Sequence, residues 1–145
     1  MIISTVRKLL YDHGDHPVFE LEAGALKGLR HRTIIDRQTG ASELALWQEE
    51  HLPDFCVPPH RHDCEEIITV LDGAIHASIG EERYTVAAGQ SILIPAWIDH
   101  GFTVCSNQPV RLLAIFSSGN PRIFKIDGSE SIPPWEGGCS DHLEI

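Results

Sequence analysis

From Leu29 to Phe116 the chain is a succession of short apolar segments separated by turn residues, and almost nothing in it repeats at helical spacing. That texture restricts the fold to antiparallel β-structure. "LRHRTIID" (29–36), the turn "RQTG" and "ASELALWQEE" (41–50) read as one hairpin. "EEIITVLDGAIHASIG" is a second unit that breaks at Asp72-Gly73, where glycine readily supplies a positive φ. "RYTVAAG", "QSILIP", "HGFTV" and "VRLLAIF" follow, so roughly eight to ten short strands are expected, spaced as a sandwich or barrel needs. Helix is expected only at "VRKLL" (6–10) and in the tail. At 145 residues the chain suits one domain, expected over 1–145, and residues 127–145, rich in Gly, Pro and Ser, read as an irregular tail. Within it, Pro133, Pro134 and Trp135 either anchor the segment to the barrel or a partner subunit, or leave a loose terminus with one aromatic tucked in.

The formal net charge of −10, with basic residues scattered, opposes binding to nucleic-acid phosphates or an anionic membrane surface. Apolar runs such as "SILIPAWI" fall far short of a bilayer span. The start has no basic region ahead of a sustained apolar run, so no secretory signal is expected and the default location is cytoplasmic. Accordingly Cys56, Cys64, Cys105 and Cys139 are expected as free thiols.

The chemistry concentrates in "PPHRHDCEE" (58–66). Residues i and i+2 of a strand share a face, so His60 and His62 point into one cavity, close enough to share an ion. A short irregularity after His62 would return the Glu66 carboxylate to that side before "IITVL" resumes the strand, and a neighbouring antiparallel strand would bring His100 opposite. Two other readings carry less weight: Cys56 and Cys64 as soft ligands of a zinc knot, and the histidines as a polar surface loop. Asp12, His13, Asp15 and His16 near the N-terminus read as a solvated turn, because Gly and Pro interrupt them.

This arrangement resembles the cupin superfamily, whose two signature motifs map onto Asp54 to Val104. His60, His62, Glu66 and Gly73 occupy the first motif, G-x5-H-x-H-x3-E-x6-G, with Asp54 in place of its opening glycine. Gly89, Pro95 and His100 fit the second, G-x5-P-x-G-x2-H-x3-N, with Trp97 where glycine is usual and Val104 where asparagine is usual. Fifteen residues separate Gly73 from Gly89, the short spacing of compact bacterial members. A glycine there usually serves positive φ, which aspartate tolerates; Trp97 must place a large indole at the barrel mouth, at a turn or against another chain.

The resemblance implies an all-β cupin fold, a double-stranded β-helix or jelly-roll barrel, with a divalent transition metal held by His60, His62, Glu66 and His100. Such a nitrogen- and oxygen-rich set suits iron, manganese, nickel, cobalt or zinc. Phe102 shares a strand face with His100 and is expected to wall the cavity; Tyr84 and Trp97 are further candidates for the pocket. His76 is expected to point outward, and whether the face of Glu43, Ala45, Trp47 and Glu49 is internal stays open. The implied function is a metal-dependent enzyme acting on a small organic substrate, with a dioxygenase ahead of a decarboxylase, lyase or isomerase. The alternative is a non-enzymatic metal- or small-molecule-binding module. A homodimer is expected, because cupin barrels commonly pair.

Overall fold

The computed structural model describes residues 8–137. Among these, twelve strands, numbered in chain order, form two six-stranded antiparallel sheets packed as a jelly roll. The first sheet runs β1 (Phe19–Glu20), β2 (Leu29–Ile35), β3 (Ala45–His51), β10 (Val110–Phe116), β5 (Glu66–Asp72), β8 (Ser91–Ile94). The second runs β12 (Glu130–Ser131), β11 (Ile123–Lys125), β4 (Cys56–His62), β9 (His100–Val104), β6 (Ala74–Ile79), β7 (Glu82–Ala87). The strands beyond the expected eight to ten include β1, β11 and β12, which are too short to display alternation.

Alternation drives the packing. In β3 and β10 every second residue is buried, so Trp47, Leu112, Ala114 and Phe116 meet Ile68, Val70, Ile75 and Val104 between the sheets. Each fully buried large side chain there is worth about 1.5–3 kcal/mol of transfer free energy. The β2–β3 hairpin forms as the sequence indicates, with its turn closed by Asp36: the carboxylate accepts from the amides of Gln38 and Thr39, and Thr39 Oγ1 accepts from the Asp36 amide.

Asp72-Gly73 does something other than close a hairpin. β5 is flanked by β10 and β8, which leaves it no free edge, so the chain crosses at Gly73 into the other sheet, where β6 pairs with β7 and β9. Gly73 has φ of 80°, and a Cβ there would come within 2.9 Å of Pro109 O and Val110 Cα.

The expected helix at 6–10 is absent over residues 8–10, its remainder lying outside the described residues. The tail is less irregular than expected: it carries β12 and one helical turn, α1 (Pro134–Gly137), and the rest of 127–145 lies outside the described residues. Pro133 and Pro134 are buried and the Trp135 ring packs on the barrel, so this part of the segment is anchored.

Candidate metal centre

The second sheet supplies three histidines. β4 and β9 pair antiparallel with His60 opposite His100, but between Val57 and His60 the register slips, because Pro58 and Pro59 have no amide hydrogen to give the ladder. The displaced backbone presses on β9 at Gly101, where a Cβ would lie 2.5 Å from Val57 O. Beyond the bulge His60 and His62 point inward and are buried, as is His100.

Each imidazole is held by its other nitrogen. Nδ1 of His60, His62 and His100 lies 2.9, 2.8 and 2.9 Å from the carbonyl oxygens of Pro58, Arg122 and Ile98, respectively. A carbonyl only accepts, so each Nδ1 carries the hydrogen and each Nε2 is left with a lone pair aimed inward. The ligand atoms of the three rings lie within 4.8 Å of one another, an arrangement that can hold a metal ion.

Glu66 comes from the other sheet. Residues 63–65 carry the chain across the barrel, so Glu66 opens β5 rather than continuing β4; this corrects the expectation that the strand resumes after a short irregularity. Its Oε1 stands 3.3 Å from His62 Nε2 and 3.1 Å from His100 Nε2. Glu66 Oε1 and His100 Nε2 are nevertheless buried with no well-aligned hydrogen-bond partner among the described residues. Lone pairs face a carboxylate oxygen across a space in which a cation would satisfy all of them.

Electrostatics agree with that fit. Burial, reinforced by the neighbouring imidazoles of His100 and His62, lowers the His60 pKa to about 3 and keeps the ring neutral. Burial alone would raise Glu66, but the close approach of the His100 and His62 rings outweighs it and holds the carboxyl below the ordinary range. Burial also opposes charging of His62, but Glu66 overcomes it and the ring's pKa rises. Glu66 thus stands beside His62 and His100, and His60 completes the histidine group.

The cavity at the centre measures about 50 Å³ and is walled by Phe102, Trp47, Ile68, Leu112 and Trp135. Phe102 is therefore where the sequence placed it. Tyr84 and Trp97 stand elsewhere. Tyr84 is 44% exposed and hydrogen-bonds Glu82, while Trp97 is 54% exposed with its ring 5.1 Å from Phe124. Neither lines the central cavity. Trp97 has φ of 66° and Asp54 φ of 70°, so both positions where the motifs usually carry glycine do require the left-handed region.

The other candidates separate cleanly. His76 is exposed and faces outward. Cys64 is buried, and burial with the Asp63 and Glu66 charges pushes its thiol up to about 12; Cys56 is exposed, and neither cysteine joins the histidine group. Cys105 is also free, and Cys139 lies outside the described residues. His13–Asp15 form a turn capped by Asp12, in which Gly14 and Asp15 are exposed and His13 is half-buried, with Nδ1 2.6 Å from Gln48 Oε1.

One cluster escaped the sequence reading. The face left open is internal from Ala45 onward, and it buries Glu49 with His31 and His51: Oε2 lies 2.7 Å from His31 Nδ1 and Oε1 3.0 Å from His51 Nε2. Burial acts to raise Glu49, yet the two histidines hold it down at about 2. The signal was present, since Ala45 and Trp47 are apolar and strand alternation carries Glu49 and His51 to the same side.

A two-sheet jelly roll with a buried histidine centre across its interior defines a class of small β-barrel proteins. The chain carries a cupin domain, matched by the family model of that name over residues 53–116. Over 107 residues it is 27% identical to auxin-binding protein 1 of Arabidopsis thaliana, covering 67% of this chain and 54% of that protein. Over 47 residues it is 45% identical to auxin-binding protein T92 of Nicotiana tabacum, covering 32% of this chain and 25% of the other. The chain thus spans about half or less of the curated relatives it matches. Among solved structures, the polyketide cyclase RemF from Streptomyces resistomycificus superimposes with a TM-score of 0.69 at 26% identity, covering 83% of this chain and 86% of that one.

Proposed function

We propose that the chain is a metal-dependent enzyme that binds a small, oxygen-bearing organic molecule at a divalent ion held by His60, His62, His100 and Glu66. The observation that carries this reading is the convergence of three Nε2 lone pairs, each fixed by a backbone carbonyl on Nδ1, beside a buried carboxylate oxygen that lies 3.3 and 3.1 Å from two of them and has no well-aligned partner among the described residues. A bound ion would supply Lewis acidity or, if it is iron, oxygen activation. The chain's own residues do the rest. The carbonyls of Pro58, Arg122 and Ile98 keep the rings in the coordinating tautomer, and Phe102, Ile68 and Leu112 exclude water and receive an apolar ligand body.

The choice between oxygen activation and Lewis-acid chemistry rests on the metal. A dioxygenase follows if the natively purified protein holds iron and consumes oxygen in the presence of ligand; a redox-inert ion points to cyclase, lyase, isomerase or decarboxylase chemistry. The likeness to a polyketide cyclase along most of both chains supports the second branch. A binding module without turnover is the competing reading, favoured by curated relatives named for binding auxin. Elemental analysis followed by product analysis with candidate ligands separates them: tight, stoichiometric ligand recovered unchanged would reject the enzyme. The protein is further proposed to act as a homodimer. Support comes from an apolar row on the outer face of the first sheet, where Leu46, Ile115, Ile67 and Leu93 are register partners and Ile67 and Leu93 are 38% and 57% exposed.

A further inference from the structure

At about 50 Å³ the central cavity holds an ion and a water or two, whereas a site for an organic ligand runs to several hundred Å³. Some wall must therefore move if the proposed function holds. Most of the lining belongs to paired strands. The exceptions are Leu26, in a turn tied by backbone bonds from Leu29 to Leu26, Lys27 to Gly24 and Gly28 to Leu21, and Trp135 on the one-turn α1.

Trp135 is seated by ring contacts. Its indole lies flat on His31, with centroids 3.5 Å apart and planes 9° from parallel, and meets Trp47 edge-on at 4.9 Å. The same residue lines a depression of about 360 Å³ on the outside, bounded by Phe19, Thr33, Asp36 and Thr39. Of all the residues lining that depression, only Trp135 also lines the metal cavity. It is the partition between them. Moving this one side chain would join the two spaces without opening any strand ladder.

The slot it occupies is built to survive its departure. His31 is fixed in its plane from both ends, Nδ1 by Glu49 at 2.7 Å and Nε2 by Thr33 Oγ1 at 2.7 Å, and Trp47 is packed on Phe116. The buried Glu49 cluster, which has no part in holding the ion, gains a role here: it holds the face on which a flat ring stacks.

We infer that the Trp135 indole is a displaceable plug in an aromatic subsite of this cavity, and that planar aromatic molecules with chelating oxygens bind by taking its place between His31 and Trp47. The inference rests on the metal-centre reading above and assigns its ligand class.

Full-length protein loaded with cobalt(II) gives the test, with the visible spectrum of the ion as readout and azide and catechol as probes. Azide is small enough to pass the plug; catechol is not. Trp135→Ala is expected to raise catechol affinity about tenfold, the size of one or two aromatic pair contacts released, with azide affinity changed less than about twofold. Trp135→Phe is expected to fall between, and it decides the matter alone should the alanine variant fail to fold. If azide shifts the spectrum in every form while catechol binds no tighter in either variant, the plug is refuted and the metal centre stands. A wild-type chain that takes up no cobalt, or whose spectrum ignores both probes, overturns the metal-centre reading together with the plug.

Discussion

The three candidate ligand histidines differ from the other buried histidines among the described residues in where their second nitrogen goes. His31 and His51 spend a ring nitrogen on the Glu49 carboxylate, whereas His60, His62 and His100 spend theirs on backbone carbonyls and keep Nε2 for the cavity. Replacing His60 or His62 with Ala is expected to lower cobalt(II) affinity by more than roughly 100-fold in chelator competition, beyond the loss typical for a group that only orients a ligand. Stoichiometric metal retained by either variant would exclude that histidine as a ligand. Glu49 predicts a pH dependence. Its folded pKa of about 2 lies below the ordinary 4.5, so its contribution is fully present above about 4.5 and is lost as the pH falls toward 2. Glu49→Gln should flatten the acid limb of a stability–pH curve and cost on the order of 1–3 kcal/mol at neutral pH, measured by urea unfolding. An unchanged acid limb would mean that the cluster is not ionised as described. Asp54, at φ of 70°, makes a simpler case: Asp54→Val should cost about 1–2 kcal/mol and Asp54→Gly nearly nothing.

At the scale of elements, two prolines aim the centre. Because Pro58 and Pro59 cannot donate to β9, the ladder slips by one residue, and that slip is absorbed at Gly101, whose neighbours are His100 and Phe102. Gly101→Ala would drive a methyl group to 2.5 Å from Val57 O, so it should destabilise by about 2 kcal/mol or more and weaken metal binding as well, seen as a lower melting temperature and a raised Kd. A variant with native stability and affinity would show that the bulge does not position the ligands. The sequence made β2 to β10 legible because each of those runs has composition and turn signals of its own, and it made the i, i+2 pair legible because strand geometry is local. It did not show that β4 and β5 belong to different sheets. Three loop residues, 63–65, serve a bulge and a crossover equally well; the decision lies in the long-range pairing of β5 with β10, which no local pattern contains. Trp135 was legible only as an anchor, since its partner His31 is more than a hundred residues away in sequence.

At the scale of the whole molecule, the outer row of Leu46, Ile115, Ile67 and Leu93 crosses four strands and ends on the edge strand β8. If two copies pair through it, light scattering should give a dimer mass for the wild type and a monomer mass for Leu93→Glu, with metal content unchanged. A wild-type monomer at high concentration would dismiss the pairing. A last consequence follows from Glu66 and the three imidazoles standing on opposite sheets. An ion gripped from both sides is a rivet through the sandwich, so loading it should slow the parting of the two layers and not merely fill a hole. Hydrogen exchange in β5 and β9 would then slow together on metal addition, while the edge strand β1, with three strands between it and β5, keeps its apo rate.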